Sequence, residues 1–204
     1  AGQHKVHVTF RAAGTSLSGQ AVTDGILVRL APTWNGIDVL ENGDKLRLQP
    51  GVIGAHANRK LAPFQRKIGP DPASINACKI GGIVANNASG MCCGTAQNSY
   101  QTIDSMRLVL ADGTILDTAD PASRQAFVKR QPEMIATLAS LRDEVAANQE
   151  LTARIRKKFS IKNTTGYSLN ALVDFQDPID ILMHLMVGSE GTLGFVSEVV
   201  YRTV

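Results

Sequence analysis

The stretch RAAGTSLSGQ, residues 11–20, follows the strand-like run HKVHVTF, residues 4–10, and is dominated by glycine, alanine and small hydroxyl or amide side chains. A turn so poor in side chains leaves its backbone N–H groups uncovered. Consecutive N–H groups curled in one direction form a concavity that suits an anion such as phosphate. Gly14 can take φ > 0 and admits a ligand to the main chain, while Ala12 and Ala13 keep the wall low. Thr15 and Ser16 add hydroxyl donors. By itself the same stretch also reads as a plain tight turn after a strand.

Two further tracts of the same character lie downstream: CKIGGIVANNASGMCCG, residues 78–94, and GSEGTLG, residues 188–194. Neither fits the usual nucleotide signatures, because the chain has no G-x-x-x-x-G-K-[ST] and no G-x-G-x-x-G between a strand and a helix. A P-loop is therefore excluded, and a Rossmann site is not expected. Three separate small-residue tracts point instead to one long ligand, such as a dinucleotide with two phosphates, an adenine and a second ring system.

Around these tracts the pattern is mixed helix and strand. Residues 25–30, GILVRL, are apolar and β-branched enough for a buried strand, and residues 36–51 alternate around Asn42-Gly43, a hairpin signal. Residues 52–65 have helical apolar spacing at Ile53, Ala57 and Leu61, stopped by Pro63. Residues 69–99 show few helix or strand signals, and a loop of that length in a compact domain is functional more often than not. A second hairpin turns at Asp112-Gly113. Residues 132–147 and 151–158 read as amphipathic helices, residues 179–187 as a short apolar helix begun by Asp177-Pro178, and the last residues as a strand. No repeat or low-complexity segment interrupts them.

Composition narrows the class. The chain has 204 residues, 44% hydrophobic and 19% charged, enough for a substantial core. It contains no apolar run long enough to span a bilayer and no basic-then-apolar leader, so the expected compartment is the cytoplasm. The net charge of +3, with one dense basic run at residues 154–162, is too small to indicate nucleic-acid binding. Cys78, Cys92 and Cys93 are an odd number without a CxxC spacing, which reads as reduced thiols rather than a disulfide or zinc framework. Cys92 and Cys93 suit a packed loop better than a flavin tether. His4 and His7 read as solvated, His56 and His184 lack a neighbouring ligand, and no metal site is expected. The sequence opens without methionine and enters a strand at once, so it reads as a piece of a longer protein.

Four ordered stretches, RAAGTSLSGQ (11–20), IGPDPAS (68–74), IGGIVANNASG (80–90) and VGSEGTLGFVSE (187–198), resemble the FAD-binding domain of the p-cresol methylhydroxylase type, in the vanillyl-alcohol oxidase superfamily. Within it they are similar to the D-lactate dehydrogenase and glycolate oxidase branch of flavin-linked 2-hydroxy-acid dehydrogenases. Residues 86–100 and 158–175 look most like members that fuse a flavin half to an iron–sulfur half. The resemblance implies an α+β fold of two α/β subdomains truncated at the N-terminus. The whole of 1–204 would be a fragment of the FAD-binding domain, with residues 1 to about 110 forming the first subdomain and residues from about 111 to 204 the second.

It also implies FAD contacts. Ala12, Ala13, Gly14, Thr15 and Ser16 match the pyrophosphate loop, although the family more often has glycine at the first two positions. Pro70, Asp71, Ser74, Gly81, Gly82, Ala85, Asn87 and Gly90 match the segment along the pyrophosphate, ribityl chain and flavin ring. Gly191, Gly194 and Val196 match the adenine end. The implied reaction is hydride transfer from a D-2-hydroxy acid, D-lactate-like, to FAD, with electrons passed to an iron–sulfur centre, quinone or cytochrome. An alternative within the superfamily is an NADPH-dependent enolpyruvate reductase. The catalytic histidine and any metal of such enzymes belong to a substrate or cap domain absent from this sequence. No catalytic residue is expected here, and the fragment alone is expected to be inactive. A cytoplasmic place, or a peripheral one at the inner membrane, suits this branch.

Overall fold

The computed structural model describes residues 2–204. Two sheets organise it. Strands β1 (Val8–Arg11) and β2 (Ile26–Arg29) form a two-stranded parallel sheet, in register from Val8 opposite Ile26 to Arg11 opposite Arg29. Strands β3 (Ile37–Leu40), β4 (Lys45–Leu48), β5 (Ile103–Val109), β6 (Ile115–Asp117) and β7 (Phe195–Arg202) form an antiparallel sheet in the order β3-β4-β7-β5-β6. The C-terminal strand is thus the centre of the sheet, between β4 and β5.

Alternation explains why β4 holds its place. Leu46 and Leu48 point into the core and are fully buried. Lys45 and Arg47 point the other way and pair with Glu41, Asp104 and Glu198. β7 contributes Val199 and Tyr201, and the Tyr201 hydroxyl shares a 2.7 Å hydrogen bond with Ser99. That bond satisfies the one polar atom of a fully buried ring.

Among the described residues eight α-helices accompany the sheets: α1 (Gly54–Leu61), α2 (Ile80–Asn86), α3 (Ser99–Thr102), α4 (Pro121–Arg130), α5 (Pro132–Ala147), α6 (Gln149–Phe159), α7 (Ala171–Asp174) and α8 (Pro178–Met186). Their starts are chemically marked. Asp120 caps α4 and Asp177 caps α8, each accepting from a main-chain N–H and each followed by proline, and Asn148 caps α6. Among the described residues no helix is long and apolar enough to cross a membrane.

The fold class is α+β, as the sequence implied. Four helices, α2, α3, α4 and α7, lie where none was read. α2 falls inside the tract 69–99 and contains two glycines, which disfavour helix by about 1 kcal/mol each. Packing overrides that cost: Ile80, Ile83 and Val84 are buried, and a Cβ on Gly81 would meet Pro50 Cβ at 2.9 Å. α4 has no apolar stripe and buries only Phe127. A division near residue 110 falls in the turn of the β5–β6 hairpin, so the five-stranded sheet draws strands from both sides of it.

Candidate functional site

A cleft of about 370 Å³ opens between the two sheets, and the three small-residue tracts line it. The first wall is the loop at the C-terminal end of β1, where Gly14 has φ 73°. Among the described residues, the N–H groups of Ala13, Gly14, Thr15 and Ser16 have no intramolecular acceptor. The second wall is α2, with Gly81, Gly82, Ala85 and Asn86 on the cleft. A Cβ on Gly82 would meet only Ala12 Cβ, at 3.7 Å, an ordinary contact, so the position faces the first wall across open space.

The third wall is the turn before β7, with Ser189, Glu190, Gly191 and Gly194, and the first two residues of that strand, Phe195 and Val196. Gly191 has φ 80°, and a Cβ there would meet nothing within 4 Å. This turn is tied to α2 by the main chain, with Gly188 N–H donating to Val84 O at 3.1 Å and Glu190 N–H to Ala85 O at 2.8 Å. The Glu190 carboxylate, among the described residues the one acidic side chain on the cleft, accepts from Asn86 Nδ2, which fixes its position against α2. Phe10 of β1 stacks on Phe195 with ring centroids 4.3 Å apart, and Trp34 tilts against the same ring. Phe195 therefore joins the first wall to the third.

Of the residues expected from sequence, Ala12, Ala13, Gly14, Thr15, Ser16, Ser74, Gly81, Gly82, Ala85, Gly191, Gly194 and Val196 line the cleft. Pro70, Asp71, Asn87 and Gly90 do not. Asp71, Asn87 and Gly90 shape the loops behind it, and Pro70 is buried. The Asp71 carboxylate accepts the N–H groups of Cys92 and Cys93, both at 3.2 Å, and a Cβ on Gly90 would overlap the Asp71 carbonyl. Burial works to raise the Asp71 carboxyl, and the hydrogen bonds from Cys93 and Cys92 outweigh it, holding the group below the usual carboxylate range. Asn87 ends α2 at φ 49°, and its Oδ1 accepts the Tyr100 N–H.

The cleft also gathers residues not singled out from sequence: Phe10, Gln20, Pro72, Asn86, Ser89, Lys162, Thr164, Ser189, Glu190 and Phe195. Gln20, Pro72, Asn86, Ser89, Ser189, Glu190 and Phe195 sat inside the quoted motifs, and that membership was the available signal. Lys162 and Thr164 had only the looser resemblance of residues 158–175, and Lys162 the basic run that contains it. Cys78 lies on the cleft, where burial pushes its thiol above the ordinary value and keeps it a poor nucleophile. Cys92 is exposed and Cys93 buried, neither in a disulfide. Among the described residues no His, Cys, Asp and Glu group is arranged to hold a metal ion.

These features fit a dinucleotide diphosphate. Its oxygens need N–H donors without a facing carboxylate, and the loop after β1 offers them in a cleft whose glycines leave space a Cβ would fill. The FAD binding domain family matches residues 1–119, and the chain belongs to that family, with FAD as its cofactor. The resemblance to the p-cresol methylhydroxylase type and its D-lactate and glycolate branch holds.

The chain is 29% identical over 199 residues to a D-2-hydroxyglutarate dehydrogenase of Pseudomonas putida, covering 95% of this chain and 19% of that protein. Over 91 residues it is 41% identical to the glycolate oxidase subunit GlcD of Escherichia coli, covering 44% of this chain and 18% of that one. It spans about a fifth of these relatives. Among solved structures, alkyldihydroxyacetonephosphate synthase shares the fold with a TM-score of 0.58 at 16% identity, over 99% of this chain and 28% of that one.

Proposed function

We propose that this chain is the greater part of the FAD-binding domain of a dehydrogenase that oxidises a D-2-hydroxy acid by hydride transfer to FAD. The observation that carries the reading is the convergence of three distant tracts, with unpaired N–H groups on the first, on one cleft. The names of the relatives, D-2-hydroxyglutarate dehydrogenase and a glycolate oxidase subunit, supply the substrate class. A D-lactate-like acid belongs to the same class.

When bound, FAD supplies a two-electron acceptor for the hydride. The residues of this chain bind and orient it. The N–H groups of 13–16 and the hydroxyls of Thr15 and Ser16 hold the diphosphate, α2 and Ser74 flank the middle of the cofactor, and Gly191, Gly194 and Val196 face its adenine end. Pro70, Asp71, Asn87 and Gly90 act behind the cleft by fixing loop shape. Phe10 and Phe195 exclude water from one side of the cleft. Proton removal from the substrate hydroxyl belongs to a substrate domain outside this chain, and so does any iron–sulfur, quinone or cytochrome acceptor. A cytoplasmic or peripheral membrane place suits that chemistry.

Anaerobic titration of the full-length protein tests the reading. Loss of oxidised-flavin absorbance on adding D-2-hydroxyglutarate, D-lactate or glycolate, with no response to L-enantiomers, is the expected result. A protein that holds flavin and is reduced by none of them refutes the substrate class.

A further inference from the structure

The connection between α6 and α7, residues 160–170, forms a strap along the cleft. It is pinned to the third wall at its far end: the Tyr167 hydroxyl is 2.8 Å from Thr192 Oγ1, and the Ser168 hydroxyl donates to Val187 O at 2.7 Å. At its near end Lys162 Nζ donates to Ser89 O at 2.8 Å, on the loop that follows α2. Lys162 and Thr164 both line the cleft. Of the basic run 154–162, Lys162 alone reaches it, and among the described residues that line the cleft it is the only cationic side chain, the Arg11 guanidinium lying against Gly14 just outside that lining. The opposite charge, Glu190, is already held by Asn86.

We infer that Lys162 is the side-chain counter-charge for the diphosphate of bound FAD, held over the cleft by the 160–170 strap. The inference rests on the cleft being the FAD site. A dianionic diphosphate bound by backbone N–H groups alone meets only partial charges, and a lysine ammonium with donors to spare adds a full one. The pair is exposed to solvent, so the contribution is modest and salt-dependent.

The test is FAD affinity, read by flavin fluorescence on flavin-free full-length protein across ionic strength. Lys162→Met should weaken FAD by roughly three- to tenfold at low salt. The gap should close toward about 1 M salt, where the Debye length falls to about 3 Å. Lys162→Arg should keep most of the affinity, and wild-type affinity should itself fall with salt. If wild type binds no FAD, the cofactor site is misplaced and the inference falls with it. If wild type binds FAD with no salt dependence, or if Lys162→Met loses nothing or loses the same factor at every salt concentration, the counter-charge is overturned while the site stands.

Discussion

The two sheets that flank the cleft are built to different standards. The five-stranded sheet has a continuous core in which Leu46, Leu48, Ile103, Leu108 and Tyr201 are all but inaccessible. The parallel pair β1–β2 exposes Val8, Phe10, Ile26 and Leu27, and its contacts to the rest run through a few points: Phe10 on Phe195, and Lys79 Nζ donating to Leu30 O at 3.1 Å. One side of the cleft is therefore anchored in the core, and the other, which carries the unpaired N–H groups, is held by little packing of its own. Stability should report on the core-anchored side and cofactor binding on the loop after β1.

The sharpest way to break this contrast is to cut equal amounts of apolar surface from the two sheets. Leu46→Ala, at 0% exposure, should cost about 2–5 kcal/mol of unfolding free energy in urea titration. Ile26→Ala, at 46% exposure, should cost less than about 1 kcal/mol. Equal costs would mean that β1–β2 is as well packed as the larger sheet.

Gly14→Val tests the other half. Its added Cβ meets the end of the Arg11 side chain, which can swing away, so the strain comes from φ 73°, a region that costs a non-glycine residue about 1–2 kcal/mol. The new side chain also stands in the N–H concavity. Retained FAD should fall at least about tenfold while the urea midpoint moves less than for Leu46→Ala. Equal flavin occupancy in two folded proteins would remove the loop from the site.

What was legible in the sequence follows the same division. The hairpin at Asn42-Gly43, the helix stopped by Pro63 and the helix opened by Asp177-Pro178 carry their signals locally, and the structure places β3, β4, α1 and α8 there. The small-residue tracts were legible as walls of one cleft because a scarcity of side chains is itself a local signal. Helix α2 was not, since its glycines speak against it and only the packing of Ile80, Ile83 and Val84 forms it. Nor could spacing separate Gly82, on the cleft, from Gly90, which packs behind it against Asp71. The place of Lys162 on the cleft was not legible either, because the strap that brings it to Ser89 is fixed by Tyr167 and Ser168 and the distant partners they find.

The smallest expected effect lies in the well-packed region and concerns pH. His184 on α8 is buried, stacked on Phe175 with centroids 3.8 Å apart and edge-on to Tyr100 at 4.9 Å, with Nδ1 2.8 Å from Asp180 O. Burial, the largest influence, pushes its imidazole below the ordinary value. The Asp180 carbonyl and the carboxylates of Asp180 and Asp174 oppose that shift, and Arg202 adds to it. In the unfolded chain the ring titrates near about 6.5. Below that pH the unfolded state takes up the proton first, so stability is flat above about 6.5 and falls as pH drops toward the lower folded value. His184→Gln keeps an amide donor for the Asp180 carbonyl and removes the titration. The urea midpoint of wild type should decline between about pH 7 and pH 5 more steeply than that of the variant. Because β1–β2 contributes little to global stability, this slope should persist in Gly14→Val. Parallel pH profiles for wild type and His184→Gln would show that the buried imidazole is not what the acid side of the stability curve reports.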